Sequence, residues 1–361
     1  MSPFRPIVTL GLAAALVAAC GSGGVSPSTG ATDPATSAAP SAAPSASAAI
    51  QPSLGLPPTQ LMVGLGYIPS VQFAQFYLAD QAGYYREAGL EVTFQNKIDP
   101  DLITLVGQGA IDVGIADGTS MIPAVSQGIP VRYVATVYGQ FPSIVFGKTS
   151  TGVLTPADLA GKRLGIPGRY GSSWIMLQAL LASAGLTTED LEIVEYPDFG
   201  QGAAVTQGAV DVATGFANNE PVQLALTGEA VTILRVDGVT PLPGPGLISG
   251  VATLDSKRDA IEAFIAATMR AMDAITADPS LGLEAAITAV PELATARETQ
   301  AAILDATIEA WSGPLQAAHG LGELDGDGWA ESIVYLTGLG LVPNPIVVDD
   351  VLARGLLPNG R

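Results

Sequence analysis

The string QGAIDVGIADGTS at 108–120 returns 99 residues later as QGAVDVATGFANN at 207–219. Self-similarity at that spacing means one structural unit built twice, and it limits the chain to architectures with two like halves. Within the first half, LMVGLG (61–66), LEVTFQ (90–95) and IDVGIAD (111–117) read as strands. Helical patterns over 71–82 and through DLITLVGQG separate them. Strands alternating with helices predict a doubly wound α/β layer. REAGLEV at 86–92 has a looser counterpart in ASAGLTTEDLEIV at 182–194, so the second half is expected to repeat the first.

Loops that follow strand C-termini share one edge of such a layer, the usual ligand edge. ADGTS and ANNEP are equivalent turns by the repeat, and they are expected to face each other across one cleft. YGQFPS (138–143) reads as a first crossing between halves and the Gly- and Pro-rich stretch at 236–246 as a second. Beyond it the pattern turns helical. Ile261, Phe264, Ile265, Met269, Met272 and Ile275 keep a helical spacing, with Asp255 expected to cap the helix and Asp278-Pro279 to end it. The expected organisation is therefore 59–140 in lobe 1, 141–236 in lobe 2, and 237–361 returning to lobe 1 with a helical tail.

The N-terminal end reads differently. Arg5 precedes an apolar run from Ile7 to Ala19, too short for a bilayer span of about 20 residues and suited to a signal peptide. Small residues before Cys20 give that signal (1–20) its lipoprotein form, ending at Cys20, which is expected to become the lipidated first residue of the mature protein. Cys20 is the only cysteine, so no disulfide forms within one chain. Residues 21–58 are nearly all Gly, Ser, Ala, Pro and Thr. Such a composition cannot offset its ordering entropy, and predicts a tether spanning on the order of 35 Å. A net charge of −19 with fifteen Lys and Arg argues against nucleic acid, because phosphate binding needs clustered cations. A single histidine, His319, leaves little for metal or nucleophilic chemistry; no metal, cofactor or catalytic residue is expected, and the folded part is expected to be a monomer.

Six aromatics crowd positions 67–85 in a chain only 6% aromatic. Phe76, with Ala79 and Ala82, is expected to face the sheet, while Tyr84 and Tyr85 cover the core. Phe73 is a candidate both for that core and for the ligand. Tyr67 follows its strand into the cleft-edge loop, beside Gln72, and there an aromatic stacks on a planar ring. Tyr138 joins the candidates from the first crossing. In RYGSSW, Gly171 permits a tight turn while Ser172 or Ser173 caps the helix, leaving N–H groups for a polar ligand. Arg169 and Tyr170 adjoin it. Asn218, Asn219 and Glu220 begin a helix with Pro221 in its first turn, and offer donors and acceptors to a ring or polyol. Asp117, Thr119 and Ser120 occupy the equivalent turn in lobe 1. For all of these turns, plain helix capping is the competing reading. GELDGDGWAES at 322–332 lacks the last ligand of a calcium loop and reads as a helix start.

FYLADQAGYYREAGLEV, LVGQGAIDVGIAD, QGIPVRYVATVY, LTPADLAGKRLGIPGRYGSSW and FANNEPVQL, in this order, resemble the periplasmic binding proteins of ABC importers. The likeness is to the SsuA-like and thiamine-pyrimidine-precursor-binding family, most of all its riboflavin-binding branch. That resemblance implies a type II two-lobed periplasmic-binding-protein fold with a hinge. It also implies capture of riboflavin first, the thiamine pyrimidine precursor second and a sulfonate or nitrate third, for delivery to an ABC permease and ATPase from the outer side of the membrane. A sensor on the same fold is the alternative. The family also includes an enzyme that consumes its own histidine beside a cysteine-rich iron site; with Cys20 in the signal and His319 in the tail, that activity is not expected here.

Overall fold

The computed structural model describes residues 57–96 and 101–358. The Cys20 signal, residues 1–20, and all but the last two residues of the 21–58 tether lie outside the described residues.

Among the described residues, ten strands form two five-stranded sheets. In chain order they are β1 Thr59–Gly64, β2 Leu90–Gln95, β3 Val113–Ala116, β4 Val131–Thr136, β5 Ser143–Lys148, β6 Arg163–Ile166, β7 Glu192–Glu195, β8 Val212–Phe216, β9 Val231–Arg235 and β10 Gly246–Gly250. The sheet orders are β2-β1-β3-β10-β4 and β7-β6-β8-β5-β9. The two correspond strand for strand: a parallel trio, then one antiparallel strand, then an edge strand. The antiparallel strand is β10 in the first sheet, against β3 and β4, and β5 in the second, against β8 and β9. Each is the first strand after a crossing, so each sheet is completed by the strand that has just crossed into it.

The repeated sequence supplies the same device to both sheets. Asp112, just before β3, accepts the Met62 N–H through its carboxylate at 2.9 Å and donates its own N–H to the Met62 carbonyl at 2.9 Å. Asp211, just before β8, does the same to Arg163, both at 2.9 Å. A carboxylate thus sets the register of the first strand of each trio. A cation neutralises each: Lys257 Nζ lies 2.8 Å from Asp112 and Arg163 Nη2 lies 2.9 Å from Asp211.

The long helix Val251–Ala277 begins earlier than its apolar spacing suggests. Gly250 stands at its N-cap and Asp255 lies inside it, so Asp255 is not the cap; the break falls at Lys257, whose backbone is non-helical. Lys257 reaches back to the Gln60 carbonyl at 3.1 Å and to Asp112, which ties the helix start to the sheet. Beyond the break Ile261, Phe264, Ile265, Met269, Met272 and Ile275 are all buried, and the helix stops at Ala277 before Asp278. This face meets the aromatic cluster. Phe76 and Tyr85 stack on Phe264 with ring centroids at 6.3 and 5.0 Å, and the Tyr85 hydroxyl sits 2.9 Å from Thr268 Oγ1. Phe73 and Ala79 are buried with them. Ala82 is not: it lies exposed, just past the C-terminus of helix Ala74–Gln81. Tyr84 is half-buried beneath the Arg270 guanidinium at 3.7 Å.

The two crossings and the tail pack backbone against backbone. The Tyr138 N–H donates to the Pro245 carbonyl at 2.8 Å, and the Gly139 N–H to the Trp311 carbonyl at 3.1 Å. A Cβ on Gly139 would overlap the Gly313 amide and the Gln316 side chain, so only glycine permits that approach. Helix Gly326–Gly338 opens with the Asp325 carboxylate accepting the Gly328 N–H, so the acidic string at 322–332 is a helix start.

The Asp112 and Asp211 anchors yield a stability test. Asp112→Asn and Asp211→Asn each turn an acceptor into a group that meets N–H donors, and each should cost about 2 kcal/mol by chemical denaturation. A loss below about 0.5 kcal/mol, the level of an ordinary surface change, contradicts the anchoring role.

Candidate functional site

Loops from both sheets and one helix of the tail meet at the C-terminal edges of the strands. After β8, the turn holding Asn218 leads into helix Glu220–Leu226, with Asn219 at the N-cap and Pro221 in the first turn. Asn218 is 2% exposed. Its amide nitrogen reaches Gln72 Oε1 at 2.9 Å, Thr307 Oγ1 at 2.8 Å and Tyr138 Oη at 3.4 Å. Gln72 belongs to the loop after β1, Tyr138 to the first crossing and Thr307 to helix Arg297–Trp311. One side chain of the second sheet's lobe is therefore bonded to the first lobe, to the crossing and to the tail. Tyr138 is buried and its phenol is pushed well above the ordinary range by that burial, against which the Asn218 and Thr307 contacts act.

A second inter-lobe contact is aromatic. Tyr67 meets Phe199, from the loop after β7, edge to face with ring centroids 5.2 Å apart. Phe199 has φ +61°, the left-handed region that a bulky residue avoids. Strain of this kind gathers at functional loops. Burial, followed by the Glu220 charge, pushes the Tyr67 phenol up to about 12.

A third contact centres on Asp117. It caps helix Gly118–Ser126, its carboxylate accepting the Thr119 hydroxyl at 2.5 Å and the Ser120 N–H at 3.0 Å. Helix Gly171–Ser183 of the other lobe packs against this helix. Burial nonetheless pushes Asp117 above the ordinary carboxylate range, with these bonds acting in the other direction.

The remaining candidates divide. Glu220 folds back on its own turn: its carboxylate accepts the Phe216 N–H at 2.9 Å and lies 3.4 Å from Gln201 Nε2. It too is pushed up by burial, partly offset by backbone N–H groups. Asn219 Oδ1 accepts from Gln223 at 2.9 Å. Arg169 is exposed and pairs with Glu195 at 3.1 Å, its guanidinium 5.4 Å from the Trp174 ring centre. Tyr170 is half exposed. Neither Ser172 nor Ser173 caps the helix Gly171–Ser183: Tyr170 holds the N-cap without a side-chain bond. The reason is local. Gly171 itself takes φ +63° at the helix start, which carries both serines into the first turn. Phe73 belongs to the buried core, 6.4 Å from Phe76.

Four residues that pattern reading passes over stand in or beside these contacts: Phe199, Gln201, Thr307 and Trp311. Gln201 is buried, donates to the Thr214 carbonyl at 3.3 Å, and stands beside Glu220. Thr307 and Trp311 come from the tail, some 90 residues beyond the last strand-to-helix turn of the repeat, and no local signal marks them. Among the described residues, no group of three or more His, Cys, Asp or Glu is placed to hold a metal. No described helix is long and apolar enough to cross a membrane.

Comparison with known proteins matches residues 70–281 to the family model described as NMT1/THI5 like. The chain is 32% identical, over 98% of its length and 98% of the relative's, to the riboflavin-binding protein RibY of Chloroflexus aurantiacus. It is 26% identical to the 4-amino-5-hydroxymethyl-2-methylpyrimidine phosphate synthase of Aspergillus parasiticus, over 62% of this chain and 68% of that one. Its fold is that of the alkanesulfonate-binding protein SsuA from Xanthomonas axonopodis pv. citri, solved with MOPS: TM-score 0.64, 20% identity, 83% of this chain and 100% of that one. The periplasmic-binding-protein fold read from the sequence is thus the observed one.

The two raised carboxyls give a pH test. Between the ordinary and the raised values the folded chain binds more protons than the unfolded one, so their contribution to stability is full below the ordinary carboxylate range and falls as pH rises through the raised values. Glu220→Gln removes one of them. The difference in Tm between Glu220→Gln and wild type should therefore move in favour of the variant between about pH 4.5 and about pH 7.5. A difference independent of pH contradicts the burial of Glu220 as an acid.

Proposed function

We propose that this chain, which belongs to the NMT1/THI5-like family, is an extracytoplasmic solute-binding protein. On this reading its two lobes close on a small heteroaromatic vitamin or precursor, riboflavin first, and deliver it to an ABC permease and its ATPase. Cys20 would carry the lipid anchor and residues 21–58 the tether, leaving a monomeric binding unit at the membrane surface. No chemical step is involved; binding energy is spent on hinge closure.

The observation that carries the reading is the makeup of the inter-lobe contacts. Tyr67 offers an aromatic surface, and the polar groups of these contacts are amides, hydroxyls and the carboxyls of Asp117 and Glu220, with no buried Lys or Arg among the described residues. Arg169, the cation nearest in sequence, is turned out to Glu195. A flat neutral ring fits that chemistry, whereas a sulfonate or nitrate calls for buried positive charge. Whole-length likeness to a riboflavin-binding relative supports the first choice of ligand. The pyrimidine named for the other relative is also flat and nitrogen-rich, which supports the thiamine pyrimidine precursor as the second. Against catalysis, Asp117 and Glu220 are each engaged by neighbouring backbone N–H groups and stand in different lobes.

The test is direct. Riboflavin added to the full chain should lose fluorescence and raise Tm, and Tyr67→Ala should weaken binding about tenfold, the loss of one stacking contact together with its buried area. Stabilisation by taurine or nitrate with none by any ring compound contradicts the proposal.

A further inference from the structure

Two buried amides can be oriented by counting hydrogens. The Thr307 hydroxyl gives its only hydrogen to the Ile303 carbonyl at 2.7 Å, so toward Asn218 it can only accept. The Asn218 amide nitrogen must face it, and Asn218 Oδ1 must face elsewhere. Gln201 is fixed in the same manner: its side-chain nitrogen lies near two acceptors, the Thr214 carbonyl and Glu220 Oε1, and turning the amide over would set oxygen against both. After this accounting Asn218 Oδ1 and Gln201 Oε1, on side chains 2% and 1% exposed, have no donor among the described residues. The Trp311 Nε1 hydrogen, one helical turn beyond Thr307 on the same face, is equally buried and has no acceptor. Buried polar groups in folded proteins are nearly always bonded. Of the eight such atoms among the described residues, these three stand on segments packed around helix Glu220–Leu226, and they call for a common partner.

We propose that these atoms read the edge of the ligand: Asn218 Oδ1 takes a ring-borne N–H, and Trp311 Nε1 donates to the adjacent carbonyl or ring nitrogen. Gln201 Oε1 takes a further N–H or O–H. The inference rests on the heteroaromatic reading above and narrows it. The ligand carries a donor next to an acceptor, as in the –NH–C(=O)– of a lactam or imide ring, or the amino group beside a ring nitrogen in an aminopyrimidine. An oxyanion has no donor to offer and would set negative charge against two amide oxygens. A site built to bond a donor rejects the analogue lacking it, because its own acceptor is then left buried and unpaired.

The experiment compares matched pairs on the full chain by titration calorimetry: riboflavin against its analogue methylated at the imide nitrogen, and 4-amino-5-hydroxymethyl-2-methylpyrimidine against the same ring with a dimethylated amino group. For whichever ring binds, methylation should weaken wild type at least about tenfold. Asn218→Leu, which keeps the shape but has no acceptor, should bind both members of the pair within about threefold of each other. Trp311→Phe tests the donor separately and should weaken the parent ring while leaving the penalty for methylation in place. Equal binding of parent and methylated ring by wild type overturns this inference and leaves the heteroaromatic function standing. Binding of taurine or nitrate with no ring bound overturns both.

Discussion

The contact on which the arrangement depends is the amide of Asn218. It is the point where the second lobe, the loop after β1, the first crossing and the tail helix are bonded to one another. Because it is buried, each of those bonds carries the penalty that would follow from leaving it unmade. In the proposed hinge motion, moving the lobes apart would expose the amide to water, which satisfies it at little cost. Bringing them together removes that water, so closure is favourable only where every polar atom in the contact regains a partner. On the proposed reading, a ligand able to bond the remaining oxygen of Asn218 would act on the equilibrium between open and closed forms in proportion to its differential affinity for the closed one.

Around that point the fold supplies rigidity. Each sheet receives its antiparallel strand from the chain that has just crossed over, so the crossings are continuous with the middle of each sheet. Gly139, held against the tail by a backbone bond, and Tyr138, bonded to the strand-bearing segment before β10, leave little slack at the join. Twin carboxylates at Asp112 and Asp211 fix the first strand of each trio, and with it the position of the loop that follows. The loops bearing Tyr67 and the RYGSSW turn inherit their placement from those anchors.

Much of this was legible in the sequence because it was written twice. The QGA-[IV]-D-V string marked the equivalent strands, and it contains the anchoring aspartates, although their bond to the neighbouring strand is visible only in three dimensions. The core face of the long helix followed from its spacing, since burial of one stripe is what that spacing encodes. Its beginning did not: Lys257 breaks the helix to reach Asp112, a tertiary contact with no local signature. The meeting of the lobes was legible where it lies on loops after strands, as with Tyr67, Gln72, Asp117 and Asn218. It was not legible at Thr307 and Trp311, which look like ordinary positions of an amphipathic helix, nor at Phe199, whose left-handed backbone no residue preference announces. The serines after Gly171 show the limit of cap rules, because the glycine took the turn and moved both serines inside the helix.

A crystal structure of the full chain grown with riboflavin tests the central claim most directly. The account predicts the ring between Tyr67 and the turn bearing Asn218, with Asn218 Oδ1 within hydrogen-bonding distance of a ring N–H and Thr307 still accepting from the amide nitrogen. Density for the flavin away from Tyr67 and Asn218, or a cleft in which the Asn218 oxygen remains unbonded beside the ring, would contradict it.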